Sequence, residues 1–258
     1  MAGFLFDNIV FGPVYSRRFG VSLGINLLPN NSKYCNFNCI YCECGWTEIK
    51  KGEKIILPNR EELKNRLTDK LKSLKGTVNE PNTITFAGNG EPTIHPDFSG
   101  IIDETVKIRD KFARQAKICV LSNASTLHKP RVIEGLKKVE LNIQKLDCGT
   151  EKTFKLINQA AAVISFEKIV ESLLAFEGKL IIQTLFFRGK YNGNHIDNTA
   201  PEEIDAWLKI VKKINPEYVM IYSIDRGTPA QDLQKISELE LQEIANQIGK
   251  EGIRTKVY

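Results

Sequence analysis

Past the first 20 residues, runs of β-branched and apolar residues alternate with segments whose apolar positions recur at helical spacing. Strands are predicted at 21–28, 83–86, 117–121, 139–145, 179–187 and 218–223, with a further short one at 253–257. Helices are predicted near 60–75, 98–113, 129–138, 165–176, 202–214 and 237–250. The helix near 202–214 carries the stripe Ile204, Trp207, Leu208, Val211 and Ile214, with Thr199 as its expected cap and Pro201 in its first turn. Six strand-helix units predict an α/β protein with a mainly parallel sheet, built either as an incomplete barrel or as an open doubly wound sheet. Both arrangements place ligands at the C-terminal ends of the strands. No linker, low-complexity stretch or short repeat breaks the pattern, so 1–258 reads as one domain with residues 1–20 as an N-terminal extension.

Composition narrows the class. A content of 42% hydrophobic and 26% charged residues is that of a globular protein. No apolar run approaches the roughly 20 residues a bilayer requires. The opening MAGFLFDNIVFGPV lacks a basic start and a long apolar stretch, so a cytoplasmic protein without membrane contact is expected. Residues 50–75 hold nine Lys/Arg and four Asp/Glu, which accounts for the whole net charge of +5. There Leu63, Leu67, Leu71 and Leu74 recur at helical spacing, with Arg60, Lys64, Lys70 and Lys72 on other faces. This predicts an amphipathic surface helix whose basic face is solvated, with RNA contact as its other use.

Six cysteines need an explanation in a compartment where disulfides seldom persist. Cys35, Cys39 and Cys42 stand as CxxxCxxC just after the first predicted strand. Three thiolates on one short loop can ligate three irons of a [4Fe-4S] cluster and leave the fourth iron open. Zinc would need a fourth ligand, and His95 and His128 are far away in sequence, with no second CxxC. Cys44 reads as a spectator, a protecting residue or an alternative ligand. Cys119 lies in an apolar strand and reads as a buried inert thiol. Cys148 follows Asp147 at a strand tip facing the expected cavity, and is the candidate catalytic residue as a hydrogen-atom donor or substrate-linked thiol.

With Tyr41 directly before its last cysteine, the motif resembles that of the radical S-adenosylmethionine superfamily. The resemblance implies a partial (β/α)6 barrel and a [4Fe-4S] cluster on Cys35, Cys39 and Cys42. It also implies S-adenosylmethionine bound to the open iron through its methionyl amino and carboxylate groups, with Tyr41 beside the adenine. The reduced cluster would release a 5′-deoxyadenosyl radical, using electrons from a reductant such as flavodoxin or ferredoxin. Gly88, Asn89, Gly90 and Glu91 follow the second strand where the superfamily has GGE, with Asn89 in place of the second glycine. Glycines permit close backbone approach and a carboxylate accepts from an ammonium, so this loop is expected to bind the methionyl group. Ser122 and Asn123 at the third strand tip, and Lys145 and Asp147 at the fourth, stand where the superfamily holds the ribose and carboxylate.

The segments FGPVYSRRFGVSLGINLLP, GNGEPT, LDCGTEKTF and YSIDRGTPA further resemble the wyosine-base-formation-like group. Known wyosine synthases carry additional N-terminal cysteines for a second cluster, and residues 1–34 contain none. That departure counts against wyosine synthesis and leaves an RNA base, a peptide side chain or a small molecule as substrate. Arg17, Arg18 and Arg188 are candidate substrate contacts, because a guanidinium fork matches carboxylate and phosphate. The reading from another class is a non-enzymatic metal-stabilised or RNA-binding module.

Overall fold

The computed structural model describes residues 3–48 and 55–258. Its sheet begins with a hairpin, β1 (Val10–Ser16) antiparallel to β2 (Gly20–Ile25), so part of the expected N-terminal extension is a strand. Then come α1 (Arg60–Leu74), β3 (Thr83–Phe86), α2 (Phe98–Phe112), β4 (Lys117–Ser122), α3 (Pro130–Leu136), β5 (Leu141–Lys145), α4 (Glu151–Asn158) and α5 (Phe166–Leu174). The chain continues through β6 (Ile181–Tyr191), β7 (Asn194–Asp197), α6 (Pro201–Ile214), β8 (Tyr218–Ser223), β9 (Leu233–Lys235), α7 (Glu238–Lys250) and β10 (Thr255–Val257).

From β2 onward the main path runs β2-β3-β4-β5-β6-β8-β10, every pair parallel and every step forward in the chain. A doubly wound sheet reverses direction at a switch point, whereas a barrel does not. The order therefore decides for the incomplete barrel, with β1 and β10 as unpaired ends of the path. The distal half of β6 folds back on β7 and also pairs with β9, two short strands that carry no periodic signal of their own.

Alternation along each strand sorts the side chains into two layers. Leu23, Ile25, Ile84, Phe86, Ile118, Val120, Ile182, Val219 and Ile221 join the helices in the larger core. Cys119, Ile143, Ile181, Tyr218 and Met220 face inward and pack with Phe19 from the β1-β2 turn. Cys119 is fully buried, as expected, and burial pushes its thiol up to about 12. Beside this apolar cluster the Ser22 and Thr85 hydroxyls stand 2.8 Å apart.

The basic helix is α1. Asn59 caps it by accepting from the Glu62 amide at 2.9 Å, and Leu63, Leu67, Leu71 and Leu74 are all buried. Its cations are partly neutralised: Arg60 grips Asp97 bidentately at 2.6 and 2.9 Å, and Lys64 and Arg66 pair with Glu61 and Glu62. Lys70 is half-buried and Lys72 and Lys75 are exposed, while Lys50, Lys51 and Lys54 lie outside the described residues. Thr199 does not cap α6. Ala200 holds the N-cap position, Pro201 opens the helix as expected, and Thr199 bonds Asp197 instead. Among the described residues no helix is long and apolar enough to cross a membrane.

Leu67 is fully buried between α1 and the sheet, so Leu67→Ala is expected to lower unfolding free energy by about 2–5 kcal/mol. Exposed Lys64→Ala should stay within about 0.5 kcal/mol in the same urea titration.

Candidate functional site

The cysteine loop follows β2 and is clamped on three sides. Its Tyr34 amide donates to the Asn89 carbonyl at 2.7 Å, and its Asn38 and Ile40 amides donate to carbonyls at the end of α4 at 3.0 Å. The buried Lys33 ammonium donates to the Gly45 carbonyl at 2.9 Å, pinning the far side of the loop. Cys39 is buried, while Cys35 and Cys42 are partly exposed.

Nitrogen donors point at the sulfurs. The Phe37 amide reaches Cys35 Sγ at 3.4 Å, Asn123 Nδ2 reaches the same sulfur at 3.6 Å, and Asn158 Nδ2 reaches Cys39 Sγ at 3.4 Å. Burial, with the neighbouring Cys39 and Glu91 charges, pushes the free Cys35 thiol up to about 12, and burial raises Cys39 too. The Cys44 thiol beside Cys42, opposed by burial, lowers Cys42 to about 5. N–H donors aimed at sulfur fit anionic thiolates, which is the state in which cysteine binds iron. Among the described residues, no three His, Cys, Asp or Glu side chains converge as they would on one metal ion. His95 is also committed elsewhere, to the Pro58 carbonyl at 2.9 Å and the Asp97 amide at 3.1 Å. Two of the three loop sulfurs thus receive N–H donors, which suits thiolate ligands to iron.

The glycine loop after β3 lies against the cysteine loop. Gly88 has φ +133° and Gly90 φ +142°, and a Cβ would stand 2.6 Å from Asn26 Oδ1 and 2.0 Å from the Tyr34 carbonyl, respectively. These glycines are required by close approach of the protein itself. Asn89 is fully buried: Nδ2 donates to the Phe6 and Pro29 carbonyls at 3.0 and 2.7 Å, and Oδ1 accepts from the Phe6 amide at 2.8 Å. Glu91 is equally enclosed, accepting from the Thr93 amide at 3.1 Å and the Asn123 amide at 2.6 Å, and burial raises its carboxyl. The side chains of Asn89 and Glu91 therefore tie loops together, and the glycine backbone is what this loop presents to the interior.

At the next strand tips the expected residues form two groups. Ser122 accepts from the Ala124 amide at 3.1 Å, while Asn123 joins Asn36 and Ser125 beside Cys35. Lys145 and Asp147 pair at 2.9 Å with the Tyr41 hydroxyl bonded to both. Asn158 Nδ2 adds contacts to Tyr41 and Asp147 at 3.2 Å, and Asp147 Oδ1 accepts from the Leu185 amide at 3.0 Å. Burial opposes the charge on Lys145, but the adjacent Asp147 and Cys39 outweigh it and raise the ammonium. Burial and Asp147 likewise hold the Tyr41 phenol well above its ordinary value.

Cys148 is fully enclosed and shares its small cavity with Asn123, Lys145, Asp147 and Asn158 of the strand-tip groups. It is 1% exposed, and the cavity, of about 10 Å³, is closed on its other side by Phe37, Phe154, Phe166 and Ile169. Arg17 pairs with Asp225 at 2.9 Å and Arg188 with Glu240 at 2.8 Å. Two structuring residues escaped the sequence reading. Asn26 is a lone amide in the apolar run GINLLP, a signal that was present; Asn158 ends the short α4, which was not predicted.

Residues 31–177, more than half of the chain, match the profile of the Radical SAM superfamily. The chain belongs to the radical SAM superfamily. Its enzymes use a [4Fe-4S] cluster with S-adenosylmethionine, and typically need a reductant. Among curated proteins the chain is 33% identical over 238 residues to a "UPF0026 protein" of Helicobacter pylori, covering 90% of this chain and 71% of that one. It is also 33% identical over 237 residues to "GTPase Obg" of Brachyspira hyodysenteriae, covering 90% of this chain. It spans only 32% of that longer protein, and these 258 residues contain no GxxxxGK(S/T) phosphate loop, so the nucleotide activity in that name is not carried over. The fold is shared with TYW1 bearing a lysine-pyruvate adduct (TM-score 0.64, 14% identity, 90% of this chain and 75% of that one). It is shared too with Streptococcus suis SuiB bound to S-adenosylmethionine (TM-score 0.62, 14% identity, 91% and 49%).

Gly90→Ala forces a Cβ into the Tyr34 carbonyl and is expected to cost at least about 2 kcal/mol in chemical denaturation. Gly76→Ala, also at positive φ but with nothing within 4 Å, should cost less.

Proposed function

We propose that this protein is a radical S-adenosylmethionine enzyme in which Cys35, Cys39 and Cys42 hold a [4Fe-4S] cluster and the loop 88–91 receives the methionyl end of the cofactor. The observation that carries the reading is the CxxxCxxC loop, with N–H donors on its sulfurs, locked edge to edge against the glycine loop at the C-terminal ends of β2 and β3. Held by Cys35, Cys39 and Cys42, a reduced cluster would supply the electron for reductive cleavage of the cofactor's sulfonium, with hydrogen abstraction from substrate as the use made of it.

The remaining roles belong to the chain. Asn158, Asn123 and the Phe37 amide stabilise the thiolate charge. Lys145 and Asp147 hold the Tyr41 ring against Phe187, at 5.2 Å between centroids, where it can border the adenine. Ser122 and Asn123 brace Glu91 and the cysteine loop beside the ribose position. Cys148, 1% exposed, is assigned no step. A flavodoxin- or ferredoxin-like reductant would supply the electron.

After anaerobic reconstitution with iron and sulfide, about four irons per chain are expected. Dithionite reduction with S-adenosylmethionine should then yield 5′-deoxyadenosine and methionine. A four-iron protein that forms neither would be a metal-stabilised module and not an enzyme. Asn158→Ala removes an N–H donor from the Cys39 sulfur, so a redox titration should find the cluster's potential more negative than in the wild type.

A further inference from the structure

The β1-β2 turn sends Arg18 into the barrel. Its guanidinium carbon lies 5.0 Å from the centre of the Tyr222 ring and 5.3 Å from that of Phe19, and Nη1 donates to Gln183 Oε1 at 2.7 Å. Gln183 Nε2 donates in turn to the Tyr222 hydroxyl at 3.0 Å, which fixes the amide so that its oxygen faces the arginine. Arg18 thus has a partner on one nitrogen and two aromatic faces around it. Among the described residues no carboxylate pairs with it, whereas neighbouring Arg17 is satisfied by Asp225 outside.

Arg18 borders a cavity of about 260 Å³ that also touches Cys44 and Gly88, the near edges of the cysteine and glycine loops. That cavity is walled by two guanidiniums, Arg18 and Arg226, and by one carboxylate, Glu43. Glu43 and Arg226 neutralise each other at 2.9 Å, which leaves the Arg18 charge over. An unmatched cation in a partly desolvated cavity is costly, and a negatively charged ligand removes the cost. A guanidinium oriented by one amide acceptor still offers a fork that fits a carboxylate with two parallel hydrogen bonds.

We propose that Arg18, oriented by Gln183 and flanked by Tyr222, is the substrate anchor and that the substrate is a small carboxylic acid held with its carboxylate toward the β1-β2 turn. The assignment rests on the enzyme reading above and names the substrate class for that site. The cavity's size suits a small molecule, and the phenylalanines at positions 4, 6 and 11 that line it suit an apolar body behind the carboxylate.

The test uses the cluster-free protein, so carboxylate binding is read apart from turnover. Calorimetric titration with oxalate, malonate, succinate and benzoate should find at least one that binds. Its dissociation constant should rise at least tenfold in Arg18→Gln, recover partly in Arg18→Lys and stay unchanged in Arg17→Gln. If Arg18→Gln does not fold, Gln183→Leu takes its place, with weaker binding expected because the acceptor is lost and the charge kept. No binding by any of the four acids, or equal binding by wild type and variants, overturns the proposal. Equilibrium dialysis of S-adenosylmethionine against reconstituted Arg18→Gln separates the two carboxylate sources. An unchanged affinity supports the substrate assignment, and a parallel loss means that Arg18 serves the cofactor's own carboxylate and overturns it. Carboxylate binding by a wild type that cannot cleave the cofactor would instead count against the enzyme reading.

Discussion

Backbone amides and carbonyls that leave a parallel sheet at the strand ends lose their ladder partners, and buried ones must find others. Short polar side chains meet that demand here, at one strand tip after another. Asn26 bonds the Leu28 amide and the Asn89 amide, Asn89 bonds both Phe6 and Pro29, and Glu91 bonds Thr93 and Asn123. Asp147 holds the Leu185 amide, Asn198 holds the Leu185 and Asp147 carbonyls, and Ser223 takes the Ile236 amide. The loops that carry the cysteines and glycines owe their fixed positions to this chain of internal bonds. A polar residue at a strand tip therefore does structural work whether or not it also meets a ligand.

The same rule separates the two faces of the sheet. Toward the helices the strands present a continuous apolar layer, and no polar partner is required. Inside the barrel the apolar cluster around Phe19 and Met220 gives way to hydroxyls, Gln183 and Arg18. Polar groups facing a cavity keep solvent or ligand as a partner, so their desolvation stays partial. The β1-β2 hairpin contributes both kinds of residue: Phe19 seals the lower interior and Arg18 charges the upper.

Periodicity marked the six parallel strands and their helices because each is buried on both faces or along one stripe, which leaves a strong signal. It could not choose between barrel and doubly wound sheet, since strand order is a long-range property. The β1 strand, with the sequence VFGPVYS, lies at an edge and has no buried residue, and β7 and β9 are three or four residues long, so none of them forces a pattern. The cysteine and glycine loops were legible from spacing. What their side chains do was less so: Asn89 and Glu91 turn inward to hold neighbouring loops, because which face of a loop is buried depends on what packs over it. Arg18 looked equivalent to Arg17 in sequence, and only the twist of the hairpin tells them apart.

The strand order has a bearing on how the molecule is made. Each parallel strand pairs with one that precedes it in the chain, so a sheet growing during synthesis always has its next docking edge already in place. No strand must thread between two that are already paired, and β10 completes the path last. The cysteine loop is emitted early but closed late: it needs Asn158 and the carbonyls of α4, well over a hundred residues downstream, before its sulfurs receive all their donors. A nascent chain therefore carries exposed, unsupported thiols for much of its synthesis, and the window for iron loading or for oxidative damage opens before the barrel does.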